Sequence, residues 1–277
     1  MCKSCGRWRA LLAALAVVSV TSAFLVSPAA GQATNGAIVA VGGGGTTPAI
    51  VSKTLALAGG KDAVVAVLPQ SSALEDAGDS SVKMWVDAGA RTATKVLFDD
   101  RVKARAALES ATLIWMPGGD QNRFMKAIEG TGLAEVIHAR YRAGAVVGGT
   151  SAGAAVLSEA MITGEADLKS LTAGKTVLAK GLGLLTDVIV DQHFLQRQRG
   201  NRLISAVLDR PTMVGIGIDE ATAVIFRGSG LEVVGKSSVV VVDPRAAKVE
   251  TPSDTGHVAA RDLKVSVLHA GMSYSLK

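Results

Sequence analysis

The chain has 277 residues, of which 48% are hydrophobic, with 29 basic and 24 acidic side chains. Three of the basic residues lie among the first nine positions, so the remaining chain has 26 basic against 24 acidic residues, a balance that gives no argument for nucleic acid binding. Both cysteines, Cys2 and Cys5, lie in the same N-terminal segment. The rest of the chain therefore has no disulfide, no thiolate nucleophile and no cysteine-bound metal.

The N-terminal segment has the pattern of a secretory signal. Basic residues precede an apolar run over residues 10–26, and small residues follow in the sequence SPAAGQA. This order predicts export, with cleavage near Gly31 or Ala33 and a signal over residues 1–33. The run is close to the shortest that spans a bilayer, so an uncleaved membrane anchor is the alternative. After cleavage the protein is expected to be periplasmic or secreted, without stable membrane association.

Short apolar segments alternate with longer helical patterns along most of the remaining chain. The predicted strands are residues 37–41, 63–69, 94–98, 111–116, 145–149, 188–194 and 213–218, and the predicted helices are residues 47–58, 80–89, 100–109, 121–142 and 196–208. Strands that are apolar on both faces are typical of a parallel sheet covered by helices on both sides. The pattern predicts an α/β fold, a three-layer αβα sandwich with a mainly parallel sheet, as a single domain over residues 34–277.

The pattern changes after residue 219. The closely spaced apolar segments TAVIF, LEVVG and SVVVVD predict an antiparallel extension of the sheet. Residues 250–277 show no pattern that assigns them a role.

Two glycine-rich loops follow predicted strands, where α/β proteins place their sites. The loop VGGGGTT, residues 41–47, has neither the dinucleotide-binding spacing nor a P-loop lysine, so it predicts a tight turn that lets the backbone approach a site. In MPGGDQNRF, residues 116–124, two glycines permit a sharp turn and Asp120 is placed to cap a helix. Gln121 would then project from the first helical turn toward the edge of the sheet.

Ser151 lies in the sequence Gly149-Thr150-Ser151-Ala152-Gly153, between a predicted strand and a helix. This is the spacing of a nucleophile elbow, in which a strained turn exposes the serine hydroxyl. The two glycines would let strand and helix pass without a Cβ clash. The amide of Ala152, at a helix N-terminus, would be a natural oxyanion donor.

A serine needs a base, and four histidines are available. His193 follows a strand that ends in polar residues, whereas His138 is expected to be solvated on a helix, and His257 and His269 lie in the C-terminal tail. The strand GIGI ends in Asp219 and Glu220, either of which could orient the imidazole of His193. Three guanidinium groups next to this edge favour recognition of carboxylates, with a solvated basic surface as the alternative: Arg197, Arg199 and Arg202.

The motifs PGGDQ, GGTSAGAA, DQHF with its three arginines, and GIGIDE-TA occur in one order over residues 37–245. In this the chain resembles the serine peptidase family that includes cyanophycinase and peptidase E, and it is most similar to cyanophycinase. The resemblance implies a flavodoxin-like fold similar to that of class I glutamine amidotransferases. It also implies a peptidase that needs no metal or organic cofactor.

The resemblance further implies a role for each matching residue. Ser151 would be the nucleophile, His193 the base and Glu220 the acid, with the oxyanion hole at Gly119 and Ala152. Six positions would fall on the substrate pocket: Gln121, Asp191, Gln192, Arg197, Arg199 and Arg202. The implied substrate is cyanophycin, a poly-aspartate backbone with arginine on each β-carboxyl, which would be cleaved to β-Asp-Arg dipeptides.

Several alternatives remain open at the level of sequence. The substrate could be a smaller aspartyl or isoaspartyl peptide, in keeping with the export signal, because the storage-polymer enzymes of this family work in the cytoplasm. An esterase could use Ser151 with Asp219 and either His257 or His269. A non-catalytic protein could bind acidic peptides on the same fold. The oligomeric state is also open, a homodimer included.

Overall fold

The described residues form two large β-sheets, of eight and four strands, and two small sheets of two strands each. The two large sheets contribute to one hydrophobic core. The computed structural model describes residues 36–164, 166, 168, 169, 171–250 and 254–277, so the predicted export signal lies outside the described residues. The helices are α1 (Pro48–Leu57), α2 (Asp79–Asp87), α3 (Arg101–Ser110), α4 (Gln121–Ile128), α5 (Leu133–Arg142), α6 (Ala152–Ala155) and α7 (Gly200–Asp209). None of the helices in the described part of the chain is long and apolar enough to cross a membrane.

The strands follow the predicted alternation through the first half of the chain and become closely spaced in the second. They are β1 (Ile38–Val41), β2 (Val64–Val67), β3 (Thr92–Lys95), β4 (Leu113–Met116), β5 (Val146–Thr150), β6 (Ala160–Ile162), β7 (Leu178–Lys180), β8 (Val188–Gln192), β9 (Val214–Ile218), β10 (Thr222–Arg227), β11 (Gly230–Gly235), β12 (Ser238–Asp243), β13 (Lys248–Glu250), β14 (Ala259–Arg261), β15 (Lys264–His269) and β16 (Ser273–Ser275).

The main sheet has eight strands in the order β16-β11-β10-β1-β5-β4-β2-β3. The five strands from β1 to β3 are parallel, and β10, β11 and β16 continue the sheet antiparallel beyond β1. Strands β1 and β4 are buried along their whole length, which explains why their sequences do not alternate. The predicted parallel sheet is thus confirmed, and TAVIF and LEVVG extend it antiparallel as β10 and β11. The third segment of the predicted extension, SVVVVD, instead forms β12 of a second sheet, where it pairs with β9.

Helices cover both faces of the main sheet, as the three-layer prediction requires. On one face α1 and α2 pack through Ile50, Leu55 and Trp85 against alternate residues of the strands. On the other face α3, α4 and α5 contribute Leu108, Phe124, Ile137 and their neighbours to a larger core. Burial of two apolar faces by separate layers stabilises the sheet and leaves its edges for loops.

A second sheet, which was not predicted, carries two of the strands that seemed to continue the alternation. It has the order β15-β12-β9-β8, with β8 and β9 parallel. One face contributes Val190 and Ile216 to the core that also contains Phe226 of the main sheet, and α7 covers the other face. The apolar sequence of a strand shows that the strand is buried, but it does not show to which sheet the strand belongs. The sequence pattern therefore could not predict that the strands divide between two sheets.

Two predicted helices are shorter in the structure than in the sequence pattern. The helix expected over residues 121–142 is divided into α4 and α5, because Gly130 and Gly132 adopt positive φ angles of 66° and 74°. The helix expected over residues 196–208 begins only at Gly200, since the segment before it turns through Gln198 at φ 52°. This earlier turn holds the arginine-rich segment beside the ends of β8 and β9.

Candidate active site

The loops that follow five strands converge at one place. They follow β1, β4 and β5 of the main sheet and β8 and β9 of the second sheet, so each comes from the carboxyl end of a strand that runs parallel to its neighbour. Carboxyl ends of parallel strands share one edge, which is where α/β folds assemble sites. All the motifs that the sequence singled out lie on these loops.

Ser151 occupies a strained turn between β5 and α6. Its φ is 55° and its ψ is −115°, a conformation that residues with a side chain rarely adopt. The glycines on either side are needed for close approach: a Cβ on Gly149 would lie 2.5 Å from the carbonyl oxygen of Met116, and one on Gly153 would lie 1.9 Å from that same oxygen. The local geometry is therefore that of a nucleophile elbow, as the spacing predicted.

His193 and Glu220 complete a hydrogen-bonded chain with Ser151. The Ser151 Oγ lies 2.9 Å from the His193 Nε2, and the His193 Nδ1 lies 2.5 Å from the Glu220 Oε1. The imidazole is nearly buried, whereas the Glu220 carboxylate is one-third exposed. A hydroxyl, an imidazole and a carboxylate in this order are the arrangement that removes a proton from a serine and stabilises the resulting imidazolium.

Asp219, the other acid considered for this position, has a different partner set. Its Oδ1 accepts the amides of Leu195 and Gln196 at 3.0 Å, and its Oδ2 accepts the Ser237 hydroxyl at 2.7 Å. Burial acts to raise the pKa of Asp219, but these hydrogen bonds outweigh it and leave the pKa below its ordinary value. Asp219 therefore fixes the turn after His193 and does not contact the imidazole.

The Asp219→Asn variant should unfold more readily by about 1–3 kcal/mol at neutral pH, because the amide cannot replace both carboxylate acceptors. The folded pKa is lowered, so this stabilisation is full above the ordinary aspartate pKa and is lost as pH falls through the folded value. Urea unfolding at several pH values would test this, with the exposed Asp99→Asn as the control. A difference that did not shrink in acid would contradict the role given to the ionised carboxylate.

The glycine-rich loop after β1 packs directly over the imidazole and the carboxylate. A Cβ on Gly43 would lie 2.2 Å from the His193 ring, and one on Gly44 would lie 2.5 Å from the Glu220 Cβ. The carbonyl groups of residues 41–43 also accept the amides of Ser151, His193 and Ala221 at 2.9, 2.7 and 2.8 Å. The predicted close approach of backbone to the site is confirmed, and the loop joins the segments of both sheets.

Replacing Gly43 with alanine should lower kcat by about 100-fold, because the new methyl group displaces the imidazole from Ser151 by a large part of an ångström. Gly45 is the matched control: it has nearly the same φ, 101° against 97°, but a Cβ there meets nothing within 4 Å. Gly45→Ala should cost about 1–3 kcal/mol of backbone strain and retain kcat. Equal loss of kcat in both variants would assign the effect to strain alone.

Two backbone amides near Ser151, one on the same cavity wall and one on the next residue in the chain, have no hydrogen-bond partner in the described part of the chain. Neither the Gly119 nor the Ala152 amide donates a hydrogen bond there. Gly119 has φ 141° and packs against the Ser71 carbonyl, which accepts the Asp120 amide at 2.8 Å and so holds the turn. Ser71 was not found from the sequence, because nothing in its segment marks it as a support for a distant loop.

A polar cavity of about 440 Å³ opens beside Ser151. It is lined by Gly119, Asp120, Gln121, Asn122, Ser151, Thr163, Gly164, Gln192, Arg197 and Arg199. Four of the six predicted pocket residues are therefore on its wall. A larger cavity of about 720 Å³ lies between α4, α5 and β7, but no nucleophile and base meet there, so the chemistry belongs to the smaller one.

Gln121 and Asp120 have the positions that the sequence predicted for them. The Asp120 Oδ1 accepts the amides of Asn122 and Arg123 at 2.8 and 3.2 Å, which caps α4. The Gln121 Nε2 donates to the carbonyl groups of residues 162 and 163 at 2.9 and 2.7 Å. The side-chain amide nitrogen of Gln121 is thus committed to the protein, and its Oε1 is the atom left for a ligand.

Asp191 and Arg202 do not line the cavity, and their predicted contact with substrate is corrected by the structure. The Arg202 Nε and Nη2 donate to the two Asp191 oxygens at 2.8 and 2.5 Å, with both side chains buried. The Asp191 Oδ1 also accepts the Gln192 amide at 2.8 Å. This buried ion pair supports the pocket wall from behind. The sequence motif could not show this, because a motif contains both residues that line a pocket and residues that lie behind its wall.

The other two arginines are on the cavity wall, as predicted. Arg197 is exposed, and its guanidinium has no hydrogen-bond or ion-pair partner within the described residues. The Arg199 Nη1 donates to the Gln192 carbonyl at 2.6 Å and lies 3.7 Å from Asp191. Burial and the neighbouring Arg202 cation lower the pKa of Arg199 to about 10, against the effect of Asp191, so its guanidinium is still charged at neutral pH.

The remaining histidines contact other groups. The Nε2 of His138 lies 2.7 Å from the Leu182 carbonyl, and the residue is partly buried. The prediction that His138 is solvated was therefore wrong. The Nδ1 of His257 lies 2.7 Å from the Thr255 hydroxyl, and the Nδ1 of His269 lies 2.9 Å from the Ala270 carbonyl. Both are exposed. Among the described residues there is also no group of three or more metal-binding side chains.

Comparison with known proteins identifies the family of this chain. Residues 38–234 match the model of peptidase family S51. The chain is 38% identical over 234 residues to a protein named cyanophycinase from Geminocystis herdmanii (strain PCC 6308), covering 79% of this chain and 85% of that protein. It is 35% identical over 263 residues to a cyanophycinase from Trichormus variabilis (strain ATCC 29413 / PCC 7937), covering 88% and 87%.

Two solved structures have a similar fold. A peptidase from an acI-B1 Actinobacterium superposes with a TM-score of 0.66 at 22% identity, covering 88% of this chain and 98% of that chain. A putative peptidase E from Listeria monocytogenes EGD-e gives 0.53 at 14% identity, covering 73% and 100%. These likenesses support the αβα fold, while the sequence matches establish descent. The chain belongs to peptidase family S51 and is a serine-type peptidase.

Proposed function

We propose that this peptidase hydrolyses aspartyl peptides, with cyanophycin as the substrate and β-Asp-Arg dipeptides as the products. The observation that carries the proposal is the Ser151–His193–Glu220 chain of hydrogen bonds beside a cavity walled by two guanidinium groups. The first feature supplies a nucleophile and the second a means to hold carboxylates. The sequence relatives described above carry the name cyanophycinase, which supports the same substrate.

The proposed mechanism is acyl transfer through Ser151. His193 removes the proton from the Ser151 hydroxyl as its oxygen attacks the carbonyl carbon of an aspartyl residue, and Glu220 stabilises the imidazolium. The oxyanion accepts hydrogen bonds from the amides of Gly119 and Ala152. His193 then protonates the leaving amine, the C–N bond breaks, and water activated by the same imidazole releases the acyl group.

The charge of the cavity supports the choice of substrate class. Each repeating unit of cyanophycin presents the carboxylate of its arginine next to the peptide bond to be cleaved. Arg197 has no partner within the described residues, and Arg199 directs part of its guanidinium to the cavity wall. Both cations can therefore hold carboxylates, while the Gln121 Oε1 and the Gln192 side chain are available to the peptide.

The test is to incubate the purified protein with insoluble cyanophycin and to identify the soluble products by mass spectrometry. Release of β-Asp-Arg dipeptide is the expected result, and a Ser151→Ala preparation should leave the polymer intact. Hydrolysis of short aspartyl or isoaspartyl peptides without attack on the polymer would move the function to that smaller substrate class. Failure on both would overturn the proposal.

We also propose that residues 1–33 direct export, so that the peptidase acts outside the cytoplasm on polymer released by other cells. The basic, apolar and small-residue order of this segment supports the proposal. Expression of the full chain in a bacterium, followed by N-terminal sequencing of the protein from the periplasm and the medium, tests it. A chain retained in the membrane with its first residues intact would instead indicate an anchor.

A further inference from the structure

We propose that Asp120 binds the guanidinium group of the arginine that the substrate carries, and so selects arginine-bearing aspartyl peptides. This inference rests on the proposed function, because it assumes that aspartyl peptides enter the cavity beside Ser151. It concerns the recognition of the side chain, not the cleavage step.

Within the described part of the chain, only one oxygen of the Asp120 carboxylate accepts a hydrogen bond. The Oδ1 accepts both amides of the first turn of α4, from Asn122 and Arg123. The Oδ2 accepts no hydrogen bond from the described residues, and the side chain is exposed on the wall of the cavity. Capping a helix needs a single oxygen, so the second oxygen and the negative charge are available to a ligand.

The charges on this wall are unpaired with one another. Among the described residues that line the cavity, Asp120 is the only acidic one, and Arg197 and Arg199 are the only basic ones. No ion pair within 4.0 Å joins Asp120 to either arginine, and the partner of Arg199 is Asp191, behind the wall. A cavity of about 440 Å³ thus presents both signs of charge to whatever enters it.

A cavity with this arrangement fits a ligand that also carries both signs. An aspartyl unit with arginine on its β-carboxyl has a carboxylate and a guanidinium a few bonds apart. The two arginines take the carboxylate, and like charges keep the guanidinium away from them. Among the described residues of the wall, the Asp120 carboxylate is the anionic group that can accept a forked hydrogen bond from that guanidinium.

The experiment compares two short aspartyl peptides that differ in one group. One carries arginine on the β-carboxyl, and the other carries citrulline, which keeps the shape but has no charge. The wild-type enzyme should prefer the arginine peptide by about 10-fold or more in kcat/KM, as a charged hydrogen bond predicts. Asp120→Asn should bring this ratio close to one, because asparagine retains the helix cap and removes the charge.

The ratio of the two kcat/KM values is unaffected by a loss of catalysis that is the same for both peptides. Asp100→Asn is the matched control, because Asp100 caps α3 in the same way, with its Oδ1 accepting the Lys103 amide at 3.0 Å, and does not line the cavity. It should keep the wild-type ratio. A wild-type enzyme that cleaves neither peptide would count against the proposed function. Cleavage of both with equal efficiency, or an unchanged ratio in Asp120→Asn, would overturn this inference alone.

Discussion

Replacing Ser151 with alanine is expected to lower kcat at least about 10⁴-fold, the loss seen when the nucleophile of a serine peptidase is removed. The reason is geometric: the Ser151 Oγ is the atom that lies 2.9 Å from the His193 Nε2, on the strained turn of the elbow. The measurement is initial rate on an aspartyl peptide. Folding should be retained, since alanine keeps the Cβ that the turn already accommodates.

Ser52→Ala is the control, because Ser52 lies on the exposed face of α1, outside the cavity. A serine-directed phosphonate extends the test to the alternatives. It should label the wild type and not Ser151→Ala, whereas a protein that only binds acidic peptides would not be labelled at all. His193→Ala should be as inactive as Ser151→Ala, whereas an esterase that used His257 or His269 would tolerate it. Retained hydrolysis in Ser151→Ala would exclude the nucleophile assignment.

Replacing Arg202 with alanine is expected to lower the free energy of unfolding by about 3–5 kcal/mol, because it leaves the Asp191 carboxylate buried without its bidentate partner. Both side chains are almost entirely buried, and the nearest remaining cation is Arg199 at 3.7 Å. Denaturant unfolding followed by circular dichroism measures the change. The pocket wall should loosen as well, since Asp191 also fixes the Gln192 amide.

Arg197→Ala is the matched control for this prediction. It removes the same side chain from the same segment, but Arg197 is exposed and has no partner within the described residues. Its free energy of unfolding should change by less than about 0.5 kcal/mol, while KM for an acidic peptide rises. If the two variants have the same free energy of unfolding, the buried Asp191–Arg202 pair contributes nothing to stability. The distinction between Arg197 on the pocket wall and Arg202 behind it would then be wrong.

The sequence predicted the main sheet and the groups at its edge because both depend on local information. Strands β1 and β4 are apolar on both faces. The glycines on either side of Ser151 are required because a Cβ at either position would clash with the backbone, and the structure shows this close approach. The pairing of Ser151 with His193 could be suggested because both follow strands. The distances that the proposed catalytic roles need are present in the structure.

What the sequence missed depends on contacts between distant segments. Asp191 and Arg202 were expected on the pocket surface. Instead, the Asp191 side chain at the end of β8 points inward and pairs with Arg202 of α7, eleven residues later in the chain. The division of the strands between two sheets is of the same kind, since β9 pairs with β12 and not with the main sheet. Ser71 supports the turn at Gly119, which lies 48 residues later in the chain, and no residue pattern around Ser71 indicates that role.

The two halves of the proposed catalytic apparatus are attached to different sheets. Ser151 follows β5 of the main sheet, while His193 and Glu220 follow β8 and β9 of the second, and the loop after β1 hydrogen-bonds to all three segments. The distance from hydroxyl to imidazole is therefore a measure of how tightly the sheets are packed. Gentle heating that loosens that packing should inactivate the enzyme while both sheets are still intact, so that the temperature of inactivation lies below that of unfolding.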